Sequence, residues 1–382
     1  MRYIRKFIPV LFIGIIYFLG MQNPKLFFEN IQLFTILAFV IILIFTVLPR
    51  FFKSKPKSNY KFKENISLNN TTEEFENLYN TLYTNHIVDL EKLRQKAKKE
   101  SIIYSLLMFV SIVGYGTSRL RLLDKWPLVS IIVSIVALLS FAILFFCILK
   151  VFKNRGKYQE TYKNEIVSNF IKLIGSDLKY SQGINYNNEC KEKYTDAKFD
   201  NQPFNIFFSD DHIEGMLDSQ VYINAADINV SNRVGSGKNS YIEYVFNGIF
   251  AYTKCTKDIG TSVKVCKNKV KILNKKDIVA MDSAEFEKYF DIYSDNKILA
   301  MQILTSDIMT DLIDFHNKYN LDFEIVFKND TIYVRFFTGP MFEPKTFGSS
   351  MDKQLLFIYY SILQFVANVT KKVNKTLENL EI

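Results

Sequence analysis

The chain has 382 residues, 48% of them hydrophobic and 23% charged, with a formal charge of +9. That length leaves room for two or three structural units. The positive charge gathers beside apolar runs, which points to anionic headgroups and away from nucleic acid. The four cysteines form neither a CxxC pair nor a cluster with histidine, which argues against a zinc site.

In chain order, Arg2, Arg5 and Lys6 precede an apolar run, Phe7–Leu19. A charged start before a short apolar middle fits a signal peptide. No small-residue cleavage site follows at Gly20-Met21-Gln22-Asn23-Pro24, so an uncleaved span is the preferred reading and a cleaved signal the alternative. Ile31–Leu48 forms a second span, closed by Pro49 and then Arg50, Lys53, Lys55, Lys57, Lys61 and Lys63. Positive clusters mark the cytoplasmic side of a span. Thr71-Thr72-Glu73-Glu74 has capping-box spacing, with Thr71 as the cap and Glu74 reaching back. Phe75, Leu78, Tyr79, Leu82 and Tyr83 then recur at helical steps. This helix either packs on the rest of the protein or serves as a solvated stalk. His86 stands alone in it and reads as a packing or surface residue.

Ile102–Thr117 is uncharged, a polar elbow ends at Trp126, and Pro127 opens a second uncharged run to Leu149. That run is about 23 residues, or roughly 34 Å as helix, enough to cross a hydrocarbon core. The expected fold class is therefore an α-helical transmembrane region of two hairpins plus a cytoplasmic α+β domain with a mainly antiparallel sheet. The expected divisions are 1–50, 51–101, 102–150 and 151–382. Four spans in the inner cell membrane, with both termini cytoplasmic, fit the distribution of lysine and arginine. Lys53, Lys55, Lys57, Lys98, Lys99, Lys153 and Arg155 are candidate headgroup contacts. No acid, base or histidine interrupts the centre of any run, which argues against a pump or channel.

Beyond residue 150 the signals change. Lys153–Leu178 reads as an amphipathic helix, and a β-prone region begins at Gly183. Phe204–Phe208, Val221–Val230 and Tyr241–Lys254 read as strands, with Asp210-Asp211 as a turn. Gly235-Ser236-Gly237-Lys238-Asn239-Ser240 invites a phosphate-loop reading. It lacks glycine at Asn232 and Ser or Thr at Asn239, and a strand rather than a helix follows, so it reads as a hairpin loop. Cys255 and Cys266 flank a turn and read as small packing residues. Residues 295–319 are helical, capped first at Asp295 and then at Thr305 or Ser306. Phe323, Ile325 and Phe327 alternate, Asn329-Asp330 turns, and Val334 and Phe336 return as a hairpin. Leu355, Tyr359, Ile362, Val366, Val369, Val373 and Leu377 mark a last helix, which either caps the sheet or enters a coiled coil.

Several stretches resemble a bacterial family of membrane proteins known only as domain of unknown function 3137. They include Leu90-Glu91-Lys92-Leu93-Arg94, Asp211-His212-Ile213-Glu214-Gly215, Val245-Phe246-Asn247-Gly248-Ile249-Phe250 and the tyrosine-rich run Phe286–Asp295. In the last of these Phe286, Tyr289, Phe290, Tyr293 and Ser294 carry the pattern, as Asp211, Gly215, Phe246 and Gly248 do before it. The resemblance covers about residues 73–372. It implies one continuous soluble domain and offers no catalytic residue to transfer.

The reading that follows is a membrane-anchored cytoplasmic binding or scaffold module. Its expected partners are the lipid bilayer, an unidentified protein and a second copy of the chain, with no nucleic acid, cofactor or metal. The alternative is an enzyme at the membrane surface, built on Glu285, Glu287, Asp291 and Asp295 as an acidic cluster. A channel or transporter subunit comes third.

Overall fold

The computed structural model describes residues 72–118, single positions between 139 and 154, and 156–380 apart from 184–185, 201–202, 236–239, 269–277 and 344–352. These residues fall into two compact units, one within 92–158 and the other within 57–91 and 159–382.

The transmembrane half of the expected fold class is overturned. Among the described residues no helix is long and apolar enough to cross a membrane. The run Ile102–Thr117 lies in helix α2 (Val88–Ser118). The first part of that helix carries Asp89, Glu91, Lys92, Arg94, Lys96, Lys98, Lys99 and Glu100. Its apolar remainder is roughly 16 residues, about 24 Å of helix against the ~30 Å of a bilayer core. Runs Phe7–Leu19 and Ile31–Leu48, and most of Pro127–Leu149, lie outside the described residues.

The larger unit is a sheet with helices on both faces. It starts with α1 (Glu73–Leu82), where Thr72 rather than Thr71 is the N-cap and accepts a hydrogen bond from the Phe75 amide. Glu73, Glu74 and Glu76 in the first turn suit the positive end of the helix dipole. A short π segment joins α1 to α2. A second π segment, Tyr162–Val167, leads into α3 (Ser168–Ile174). Then follow β1 (Lys179–Ser181), α4 (Asn187–Ala197), β2 (Ile206–Asp218), β3 (Val221–Val234) and β4 (Tyr241–Lys254). The chain continues through β5 (Val263–Lys267), α5 (Phe286–Tyr289), β6 (Phe290–Ser294), α6 (Lys297–Ile303) and α7 (Ser306–Tyr319). It closes with β7 (Phe323–Lys328), β8 (Thr331–Phe336) and α8 (Lys353–Asn379).

The eight strands lie in the order β1-β2-β3-β4-β8-β7-β5-β6, and every pairing is antiparallel. Alternation of side chains makes two cores. On one face Phe246 and Phe250 meet Tyr194 of α4 and the following Phe199. On the other, Phe323 and Phe336 meet Phe315 of α7 and Phe365 of α8. Burial of each such ring stabilises the fold by about 1.5–3 kcal/mol. Helix α8 therefore caps the sheet. Its other neighbour is α1, through Phe75 against Phe357 and through Lys353 paired with Glu76 at 2.7 Å.

Two local features differ from the sequence reading in detail. Asn296, not Asp295, caps α6 by accepting from the Leu299 amide. Asp210-Asp211 is not a turn but a β-bulge inside continuous β2. Asn329 does sit in the two-residue turn between β7 and β8, with a left-handed φ of +52°.

Candidate functional site

The longest hairpin, β3–β4, extends past its neighbour. Strand β8 pairs with β4 only from Ile249 to Lys254. From Tyr241 to Phe246 no strand among the described residues pairs with the side of β4 that faces away from β3. At this end Tyr241, Ile242 and Tyr244 are 59%, 47% and 49% exposed. Glu243 is the single charge of the free stretch, which contains neither lysine nor proline. Free edges are ordinarily blunted by such residues, because unpaired N–H and C=O groups template another strand.

Beside the inner end of this stretch, 5.4 Å from the Phe246 ring centre, begins a set of buried charges that the sequence did not advertise. Arg335 of β8 is 3% exposed. Its guanidinium grips Asp200 at 2.6 and 3.0 Å, donates to Glu324 at 2.7 Å, and lies 4.7 Å from the Phe199 ring centre. Burial opposes its charge, but the Asp200 hydrogen bonds together with the influence of Tyr194, Glu324 and the Asp200 charge outweigh burial and push its pKa up. Asp200 moves down, because its bonds to Arg335 outweigh its own burial. Every charge here is answered, so this network reads as an anchor for the segment after α4.

A second cluster is less complete. The π turn places Lys163, 4% exposed, against β2. Its Nζ donates to Asp210 at 3.1 Å and to the Asp211 carboxylate at 2.8 Å. Asp210 Oδ1 accepts from the amides of Gly183 and Asp211, and Asp211 Oδ1 accepts from the Tyr180 hydroxyl at 2.5 Å. Successive strand residues normally point to opposite faces. Here the bulge, with Asp211 at φ +54°, brings both carboxylates to one lysine. Burial resists the Lys163 charge, but Asp211 and Asp210 outweigh it and raise its pKa. Asp210 is lowered, since Lys163 outweighs its burial. Asp211 is raised, chiefly by burial.

Directly across the β2–β3 ladder from Asp210 stands Asp227. Its Oδ2 accepts from the Met341 amide at 3.0 Å. Its Oδ1 is sealed from solvent and has no hydrogen-bond partner among the described residues. Burial, then the nearby Asp211 charge, pushes this carboxyl up to about 8. Glu343, two residues past Met341, brings a further carboxylate. One oxygen each from Asp210, Asp211 and Glu343 lie within 4.8 Å of one another.

On the other face His212 is 2% exposed and stacks on Tyr186 at 3.9 Å. Burial lowers its pKa and keeps the ring neutral.

The residues singled out from sequence scatter. Asp211 joins the charged cluster. Gly215 and Gly248 admit close backbone contacts: a Cβ would lie 2.3 Å from the Asp177 carbonyl oxygen at the first and 2.1 Å from that of Phe336 at the second. Phe246, Phe286 and Phe290 are core residues. Tyr289 packs on His316, Tyr293 is 38% exposed, and Ser294 bonds the Asn296 backbone. Glu285, Glu287, Asp291 and Asp295 do not converge into a metal-ligating set, and Glu287 instead accepts from the Met281 amide at 2.9 Å. Lys99 and Lys153 are exposed and Lys98 half-exposed, while Lys53, Lys55, Lys57 and Arg155 lie outside the described residues. Lys163, Asp200, Asp227, Arg335 and Glu343 were missed. An acid inside the apolar run Val221–Val230 was the available signal for Asp227.

Part of the chain is similar to a known family. Residues 244–375 match the family described as protein of unknown function (DUF3137). The matched segment runs from Tyr244 in β4 into the last turns of α8, so it includes β8, Arg335 and Glu343 but not Lys163, Asp210, Asp211 or Asp227. Curated proteins returned no match. Among solved structures, the mycobacterial trehalose monomycolate transport factor A, TtfA, is similar over 45% of this chain and 74% of its own, at 8% identity and a TM-score of 0.28. A likeness that distant carries no argument about fold or function.

Proposed function

We propose that the sheet unit is a protein-binding module that accepts an extended segment of a partner along the free edge of β4. The observation that carries this reading is the exposed stretch Tyr241–Tyr244 on an edge with no neighbouring strand among the described residues. A strand edge supplies affinity through main-chain hydrogen bonds, and alternate side chains supply specificity. Tyr241 and Ile242 point to opposite faces of the strand, so both faces of an added strand meet apolar surface. Tyrosine suits this role because it offers a large apolar body with a polar tip at low entropic cost. The partner chemistry is an extended peptide with apolar residues at alternate positions and no negative charge opposite Glu243.

The test is a photo-crosslinking amino acid at position 244 of the full chain in its own cells, with Ile298, 72% exposed, as the control position. The reading expects discrete adducts at 244, absent at 298, that map to one segment of another protein with alternating apolar residues. Equal yields at both positions overturn it. Adducts only to Tyr241–Phe246 of a second copy overturn the partner assignment in favour of self-association.

A further inference from the structure

We propose that the sheet face beside the N-terminus of α4 binds a guanidinium, the arginine side chain of a partner protein, between Glu189 and Glu214 and against Tyr222 and His212. The site lies at the start of β3, whereas the free edge of β4 lies beside the end of β3, so it stands apart from the strand-addition reading.

The sheet places these groups on one face. His212 and Glu214 are two residues apart in β2, so both point the same way. Asn224 of β3 stands opposite Glu214, and Tyr252 of β4 stands opposite Asn224. Tyr222, two residues before Asn224, shares that face and is 48% exposed. Helix α4 covers the same face further along, through Tyr194 on Phe250. Tyr186, just before α4, lies on the His212 ring at 3.9 Å. The first turn of α4 brings Glu189, which accepts from the Tyr252 hydroxyl at 2.8 Å.

The two carboxylates lack a cation. Neither Glu189 nor Glu214 forms an ion pair among the described residues, although Lys179 stands opposite Glu214 in the β1–β2 ladder. Both charges act on His212, Tyr222 and Tyr252, so the glutamates converge on one place. An acidic pair alone is a solvated surface. His212 supplies the second observation. It is buried and shares the face of Glu214, and neither of its ring nitrogens has a hydrogen-bond partner among the described residues. Buried polar groups ordinarily have one. Burial keeps this ring neutral, so it presents one acceptor and one donor nitrogen.

The chemistry selects guanidinium among cations. Glu189, Glu214 and His212 are not close enough together to ligate one metal ion, which leaves a cation whose donors are spread out. Tyrosine ring faces attract an organic cation. Guanidinium is planar, stacks on such a ring and carries five N–H donors for separate acceptors. Two carboxylates and the acceptor nitrogen of a neutral imidazole are such acceptors.

The experiment uses the full chain labelled with carbon-13 at histidine Cε1, which gives signals from His86, His212 and His316. His212→Asn assigns the signal of interest. The probe is acetyl-arginine amide, with acetyl-citrulline amide as its neutral counterpart of the same shape. The expected result is a saturable shift of the His212 signal alone, absent with the citrulline probe. Glu189→Gln and Glu214→Gln each weaken the affinity by about tenfold or more, because hydrogen bonds to a charged acceptor are the strong ones. Glu189 is exposed and Glu214 half-buried, so these variants test the site without removing a core group. No shift of His212 by the arginine probe, an equal shift by the citrulline probe, or an affinity unchanged in both glutamine variants overturns the proposal. Free arginine binding more tightly than the capped residue overturns the partner-protein source in favour of a small guanidino compound.

Discussion

Replacing Asp227 with asparagine isolates the energetic consequence of burying this carboxyl. In the folded chain, burial and the Asp211 charge hold Asp227 at about 8, against an ordinary 3.8. A raised acid contributes its stability in full below the unfolded pKa and loses it as pH rises toward the folded one. The contribution therefore falls steadily between about pH 4 and pH 8 and is flat above that. At 1.36 kcal/mol per unit, the loss between pH 5 and pH 8 is about 4 kcal/mol as an upper bound. Asparagine has no proton to lose, and its carbonyl still accepts from the Met341 amide. The assay is denaturant unfolding of the full chain and of Asp227→Asn in EDTA at pH 5, 6.5, 8 and 9. The variant gains on the parent as pH rises, and the difference between them closes or reverses by pH 8. Two stability profiles that run parallel across this range would refute the reasoning, because the carboxyl would then titrate alike in folded and unfolded chains.

Other perturbations follow from the same geometry. Gly248→Ala places a Cβ 2.1 Å from the Phe336 carbonyl oxygen and should lower stability by about 3 kcal/mol or more, or abolish folding. Gly156→Ala, with nothing within 4 Å of its added Cβ, should be neutral or slightly stabilising in the same melting experiment. Arg335→Met strands Asp200 and Glu324 and should cost about 3–5 kcal/mol by denaturant unfolding. Adding Asp200→Asn and Glu324→Gln to it should recover part of that loss. Glu287→Ala removes the bond to the Met281 amide and costs about 1 kcal/mol in the same unfolding experiment.

What was legible in the sequence was local. The alternation of Phe323, Ile325 and Phe327 and the Asn329-Asp330 turn announced a hairpin, because side-chain period and turn chemistry are written within a dozen residues. The spacing from Leu355 to Leu377 announced α8 in the same way. Asp210-Asp211 misled for a physical reason. Paired aspartates are common in turns, and the lysine that makes them a bulge lies on another element, with nothing in the local pattern to reveal it. Arg335 and Asp200 are 135 residues apart in the chain, so their bidentate pair is invisible to periodicity. The glycines at 215 and 248 were noticed as a resemblance, and their cause, the approach of another backbone, is a tertiary fact. The transmembrane expectation fails because an uncharged stretch alone does not make a span, and among the described residues no helix is long and apolar enough to cross a membrane. In α2 such a stretch is the second part of a helix whose beginning is crowded with charge.

The most direct measurement is amide hydrogen exchange across β4 of the full chain, with and without a synthetic peptide of the segment that crosslinks to position 244. Strand addition predicts that alternate amides between Tyr241 and Phe246 exchange quickly alone and slow strongly with peptide, while Ile249–Lys254, already paired with β8, changes little. Unchanged exchange at 241–246 in the presence of saturating peptide, or slowing confined to another element, would contradict the edge of β4 as the binding site.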